Sequence, residues 1–247
     1  MKHIALRSKS LLGNYDYTVP GLGDKIHTLL IAHNYSVKHD TPVKLHMTES
    51  QCYAKIDVYR KIRAWNELLE LFPTDISYEP HRVQPANEER WKEYLGGIDF
   101  YYYSDTMHMH PRDKVAPIDA SKYLQFPQLP GVPVDIDLPD KFITTQWDST
   151  DSGRRFDQKT IDKILGPYRE QEYEVLTVGG AATDPKLKQI KYCGYAMSKA
   201  SYHVGLDSGF FHMAWMYLKP NNIYLHIRKM NHHIFRGEKM GVNVMRA

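Results

Sequence analysis

Residues able to do chemistry gather in this chain where strand patterns give way to helices. Tyr202-His203-Val204-Gly205-Leu206 reads as a short strand, and Asp207-Ser208-Gly209 leads straight into the apolar helix Phe210-Phe211-His212-Met213-Ala214. Such a turn offers unpaired backbone N–H groups at the positive end of a helix, where a phosphate can bind. Asp207 or Ser208 can cap the helix, and Gly209 lets a ligand or another backbone come close. Ser208 and His212 stand four apart and share a helix face. The same residues also fit a plain capped core helix, with His212 satisfied by a backbone carbonyl.

Three further strand ends carry comparable signals. Gly21-Leu22-Gly23-Asp24 opens the first helix, and Asp24 is either its N-cap or a general base towards a hydroxyl. The spacing is not that of a dinucleotide fingerprint. Gln146-Trp147-Asp148-Ser149-Thr150-Asp151-Ser152-Gly153-Arg154-Arg155 follows a predicted strand. The hydroxyls of Ser149 and Thr150, with the guanidinium groups of Arg154 and Arg155, suit phosphate oxygens, or else form a solvated loop. Gly179-Gly180 ends another strand, either to admit a ligand or as an ordinary tight turn. Met107-His108-Met109-His110 alternates histidines, but no carboxylate or Cys has the spacing to complete a metal site, so no metal is expected. Tyr101-Tyr102-Tyr103 fits edge-strand packing better than stacking on a sugar or base.

The elements that must position these residues alternate in type. Strands are expected at His3–Leu6, Val43–Met47, Ile98–Tyr103, Phe142–Gln146, Tyr173–Val178, Tyr202–Leu206 and Asn222–Ile227. Helices are expected at Asp24–His33, Lys61–Phe72, Asn87–Leu95, Asp157–Leu165, Pro185–Lys199 and Gly209–Tyr217. Alternation of this kind implies parallel βαβ units. Prolines crowd Pro111–Pro139 and mark a linker or a rim loop. The chain therefore divides into a domain over 1–138 and a doubly wound domain over 139–247.

Composition sets the outer limits. At 247 residues, with 42% hydrophobic and 25% charged residues, the chain is long enough for two small domains of an ordinary globular protein. A net charge of +3 favours an anionic ligand but is too slight to indicate nucleic acid by itself. Cys52 and Cys193 form no CxxC pair, which fits a reducing, cytoplasmic setting. No apolar run is long enough to span a bilayer, and Met1–Arg7, with no long apolar run after its basic residues, is not expected to act as a signal peptide.

With these residues in place, the chain resembles the heptosyltransferase-like (family 9) glycosyltransferases of GT-B architecture. Gly23-Asp24 matches the family's Gly-Asp turn into the first helix, and Asp207-Ser208-Gly209-Phe210-Phe211-His212-Met213-Ala214 matches its late Asp-Thr-Gly-x-x-His-Leu-Ala motif. Ser149-Thr150 with Arg154-Arg155 match its hydroxyl-rich basic loop, and Gly179-Gly180 its Gly-Gly strand end. The resemblance implies an α/β fold of two Rossmann-like doubly wound domains facing a cleft. The domain over 1–138 would take the acceptor, and the domain over 139–247 the nucleotide-sugar donor. It makes Asp24 the catalytic base. Donor contacts would come from Ser149, Thr150, Arg154, Arg155, Gly179, Gly180, Asp207, Ser208, Gly209 and His212. The implied activity is metal-independent sugar transfer from a nucleotide-diphosphate-sugar to a hydroxyl, of glycan or lipopolysaccharide type, with no cofactor. The chain is shorter than the family pattern, so donor and acceptor are not inherited. A phage-type DNA-base glycosyltransferase, a sugar-nucleotide epimerase or hydrolase, and a non-catalytic nucleotide-binding module of the same fold are the alternatives.

Overall fold

A computed structural model describes residues 1–7, 22–48, 65–82, 88–103, 125–149, 152–228 and 241–246. The chain divides into two units, Met1–Gln125 and Phe126–Ala247. The break falls ahead of the expected position at 138/139, because residues 126–138 are fastened to the second unit. Phe126 stacks on Trp215 with ring centroids 4.1 Å apart, the Leu129 N–H donates to Met216 O at 2.6 Å, and Lys186 Nζ donates to Asp137 O at 3.2 Å.

The first unit runs β1 (Lys2–Arg7), α1 (Leu22–His39), β2 (Val43–Thr48), α2 (Trp65–Leu69), β3 (Ile76–His81), α3 (Glu88–Leu95) and β4 (Phe100–Tyr103). Its strands form one parallel sheet in the order β3-β2-β1-β4. Alternation gives β2 two unlike faces. Val43, Leu45 and Met47 are fully buried, and α1 packs on β2 with Ile26, Leu29 and Leu30 in the core. Lys44 and His46 point to the other face, where the buried Trp91 of α3 lies 6.5 Å from His46. Helix α1 extends beyond the expected His33 to His39 and is followed by Asp40, whose φ of +47° gives the left-handed turn common after a helix. Strand β3 was not among the expected elements, and its Pro80 would interrupt a central strand. It lies at the sheet edge and pairs only with β2, so the missing N–H breaks no ladder. Residues 61–64 of the expected helix Lys61–Phe72 fall outside the described residues, as do Cys52, His108 and His110.

The second unit runs β5 (Phe142–Gln146), α4 (Gln158–Glu170), β6 (Glu174–Thr177), α5 (Ile190–Lys199), β7 (Tyr202–Leu206), α6 (Gly209–Tyr217), β8 (Ile223–Ile227) and β9 (Asn243–Arg246). The sheet is parallel throughout, with strand order β6-β5-β7-β8-β9. Helix α4 covers one face, burying Leu165 against Ile143 and Val204. Helix α6 covers the other, where Phe211 and Trp215 meet Ile223, Leu225 and Ile227. Asp157 caps α4 by accepting from the Thr160 N–H at 2.8 Å, which holds its carboxyl below the usual range. The helix continues through Pro167 rather than stopping at Leu165, because Ile161, Ile164, Leu165 and Tyr168 keep one apolar face on the sheet while Lys163 and Pro167 are exposed. The expected helix Pro185–Lys199 divides into a 3-10 turn, Pro185–Leu187, and α5.

The polar side chains of β5 and β7 are buried. Thr144 Oγ1 meets His203 Nδ1 at 3.1 Å, and Thr145 Oγ1 donates to Val204 O at 2.7 Å. Burial pushes His203 down to about 3 and His226 to about 4. The unfolded chain takes up these protons below the ordinary histidine value while the folded chain does not. Stability is therefore full above pH ~6.5 and declines as pH falls from there, by about 1.4 kcal/mol per pH unit for the fully buried His203. Urea unfolding followed from pH 7 to pH 4.5 checks this, with a shallower acid slope expected for His203→Gln. Equal slopes in the two proteins would contradict it.

Candidate functional site

The strand order of the second unit parts the chain at one place. From β5 the connection leads to β6 on one side, and from β7 it leads to β8 on the other. Counted within the unit the order is 2-1-3-4-5, and doubly wound sheets of this kind open a crevice where the connections diverge, beyond the carboxyl ends of the strands. Here the crevice lies between the loop after β5 and the turn from β7 into α6. Gln146 pairs with Gly205 at its floor, where a Cβ on Gly205 would sit 2.7 Å from Gln146 O.

The two sides are tied by charge. Arg154, in the 3-10 turn Ser152–Arg154, reaches across to Asp207 and binds its carboxylate Oδ2 at 3.1 Å and its backbone carbonyl at 3.2 Å. Asp207 is buried, whereas a third of the Arg154 side chain remains open to solvent. A buried carboxylate needs such a partner, and an arginine fork held at two acceptors loses little further freedom on meeting a ligand. Ser208 occupies the N-cap of α6 with extended backbone, φ −151° and ψ 173°, yet its hydroxyl makes no capping bond. Its Oγ is buried without a hydrogen-bond partner, as is Gln146 Oε1 beneath the β5 loop. The start of α6 thus takes no cap from Ser208 and sits beside an unused hydroxyl and a guanidinium.

Arg155 is exposed and is held by its own loop: Nε donates to Ser149 O at 2.7 Å, and Nη2 stands 3.5 Å from Asp148 Oδ1. Arg228 Nη1 donates to Arg155 O at 2.8 Å and adds a third guanidinium to the rim. Gly179 and Gly180 have φ of +70° and +76°. A Cβ on Gly179 would fall 2.1 Å from the Phe210 ring of α6, and one on Gly180 would fall 2.7 Å from the Asp148 side chain. The β6 turn therefore packs against both sides of the crevice, and only glycine fits at Gly179. His212 is buried one turn into α6, its ring 5.0 Å from Phe211.

Of the residues expected to serve a site, the structure brings Ser149, Arg154, Arg155, Gly179, Gly180, Asp207, Ser208, Gly209 and His212 to one end of one sheet. Thr150 lies outside the described residues. Asp24 belongs to the first turn of α1 in the other unit, and only its backbone is described. Sequence reading missed Gln146, Asp148 and Arg228. The first two stood inside the Gln146–Arg155 segment and gave no separate signal, and Arg228 comes close only through the β7–β8 pairing.

Metal-ligating spacing appears elsewhere. Among the described residues, His46, Glu79 and His81 of the first unit offer ligand atoms within 4.8 Å of one another. The sequence hid this group because β3 was not foreseen. No described helix is long and apolar enough to cross a membrane.

No protein-family model matches the chain, and no curated protein matches it by sequence. Solved structures match over its whole length. ADP-heptose LPS heptosyltransferase II of E. coli superposes with a TM-score of 0.61 at 12% identity, covering 100% of this chain and 91% of the other. A family 9 glycosyltransferase of Veillonella parvula superposes with a TM-score of 0.55 at 12% identity, covering 100% and 86%. The chain shares the α/β GT-B fold of these proteins, each of its units built on a parallel sheet.

The two glycines differ in what an added Cβ would meet. Gly180→Ala should cost roughly 1–2 kcal/mol from its left-handed backbone, and somewhat more because its Cβ would lie 2.7 Å from Asp148 Cβ, which only a shift of the exposed residue's own backbone relieves. Gly179→Ala adds a clash with the packed Phe210 ring and should cost clearly more. Urea unfolding of both variants measures the difference, and equal losses would contradict the close packing of the β6 turn on α6.

Proposed function

We propose that the chain is a glycosyltransferase that moves a sugar from a nucleoside-diphosphate-sugar to an acceptor hydroxyl without a metal at the donor site. One observation carries the reading. At the switch point of the second unit, a partly exposed Arg154 fixed by the buried Asp207 stands beside a helix start whose Ser208 hydroxyl is unused. The shared GT-B fold with two glycosyltransferases supports it.

In this reading the donor diphosphate lies on the N–H groups of Gly209 and Phe210. Ser208 Oγ donates to one oxygen, and Arg154 and Arg155 face the outer oxygens. As the anomeric C–O bond breaks, negative charge grows on the departing nucleoside diphosphate. Fixed donors and the helix dipole stabilise that charge in the role a divalent cation fills elsewhere. Asp207 works chiefly through Arg154 and is a positioning residue. Ser149, Thr150, Gly179 and Gly180 shape the rest of the pocket, and His212 backs the α6 turn.

The first unit supplies the acceptor side. Asp24, at the start of α1, takes the proton of the acceptor hydroxyl while that oxygen forms its bond to the anomeric carbon, so one bond is made as the other breaks. The acceptor is a carbohydrate hydroxyl of the glycan or lipopolysaccharide type, and the reaction runs in the cytoplasm. The E. coli relative's ADP-heptose makes ADP-sugars the first donors to try.

Thermal shift and calorimetry with a panel of nucleoside diphosphates and their sugars, in excess EDTA, test the donor site. A matching nucleotide should stabilise the chain, and Arg154→Ala or Ser208→Ala should weaken it by about 10- to 100-fold. Loss of all binding in EDTA would overturn the metal-free reading. With a donor in hand, Asp24→Asn should lower kcat by roughly 10²–10⁴-fold while leaving donor affinity unchanged. Net donor hydrolysis as the sole product in the presence of acceptors would exclude transfer.

A further inference from the structure

The sheet of the first unit carries three histidines in a row on adjacent strands. His3 of β1 meets His46 of β2, Nδ1 to Nε2 at 2.9 Å, and His46 Nδ1 meets His81 Nε2 of β3, also at 2.9 Å. Glu79, two residues before His81 and on the same face, pairs in register with His46. From these side chains we infer that the first unit holds a divalent transition-metal ion, with His46, His81 and Glu79 as its ligands. The site lies wholly within the first unit and does not rest on the donor-site reading.

The donor set is that of a zinc-like cation, two imidazoles and one carboxylate, with a coordination position left for water. A tetrahedral ion with bonds of about 2.1 Å keeps its donors ~3.4 Å apart, so the two imidazoles must separate by about half an ångström. The exposed Glu79 side chain swings in to complete the set. Lys44 Nζ sits 3.3 Å from Glu79 Oε2 and leaves Oε1 without that ion pair.

The row of rings also supplies the right proton arrangement. If His46 donates Nε2–H to His3 Nδ1, its Nδ1 keeps a lone pair for the metal, and His3 becomes the group that orients the ligand. In the metal-free chain His46 Nδ1 accepts from His81 Nε2–H, so binding through His81 Nε2 moves this proton to His81 Nδ1; each ring still holds one proton and none is released. The aromatic neighbours limit how the rings can turn: Trp91 lies edge-on to His81 at 5.4 Å and tilted to His46 at 6.5 Å, and Tyr94 lies 5.4 Å from His81. An ion here joins β2 to its edge strand β3, so its binding should stabilise the unit.

Calorimetry and thermal unfolding of the full, metal-stripped chain with ZnCl2 test the inference. One equivalent should bind with a rise in Tm. Glu79→Gln and His81→Gln should each weaken binding by at least ~100-fold, and His3→Gln by about 10- to 100-fold. Glu79 is exposed, so Glu79→Gln reports on binding even if a histidine variant fails to fold; circular dichroism identifies such a failure. Absence of saturable binding up to about 0.1 mM Zn²⁺, or binding undiminished in Glu79→Gln, would overturn the assignment. Nucleotide binding measured on the same variants should be unchanged, which keeps this test separate from that of the donor site.

Discussion

The parting of the chain at β5 and β7 governs what the second unit can present. These strands lie side by side and parallel, while their connections run to opposite edges of the sheet. Because the connections diverge, backbone donors, a buried carboxylate and a guanidinium meet at the gap between their carboxyl ends. Helices on both faces close the core beneath with Leu165, Phe211 and Trp215. A shift of either strand by one residue would turn Gln146 and Gly205 to the wrong face and remove the floor of the crevice.

The electrostatics of that crevice follow from burial. Asp207 is almost fully enclosed and its charge requires a counter-ion, which Arg154 supplies from the opposite loop. Because Arg154 keeps a third of its surface open, the same contact that satisfies Asp207 also holds a donor group ready for an anion. Ser208 completes the arrangement by leaving its hydroxyl out of the helix cap. A Ser at the N-cap normally gives its hydroxyl to the helix N–H groups, and withholding it is consistent with stability yielded to binding. The histidine row of the first unit is a separate polar core. It is covered by Trp91 and tied by ring-to-ring hydrogen bonds rather than by charge.

Most of the strand-to-helix grammar was legible in the sequence, because apolar runs such as Val43–Met47 and Tyr202–Leu206 alternate with amphipathic segments and end at Gly, Asp or Ser. The turn residues Asp207–Gly209 and the pair Gly179-Gly180 were readable for the same reason. Strand β3 escaped because Pro80 is tolerated only at an edge, and edge position is a property of the sheet rather than of the segment. The end of α4 escaped because the packing of Tyr168 outweighs Pro167. Arg228 and the His46–His81 contact depend on pairing between strands distant in sequence, which no local pattern encodes. The break between the units at Gln125 reflects the stacking of Phe126 on Trp215, another long-range contact.

The central claim is that the start of α6 and the Arg154 loop form a diphosphate site. Backbone hydrogen exchange of the full chain, with and without a nucleoside-diphosphate-sugar that stabilises it, tests this most directly. New protection is expected at Ser208–Phe211 and in the loop from Trp147 to Arg155, with little change along β8 and β9. Protection that falls elsewhere while these two segments exchange as in the free chain would contradict it.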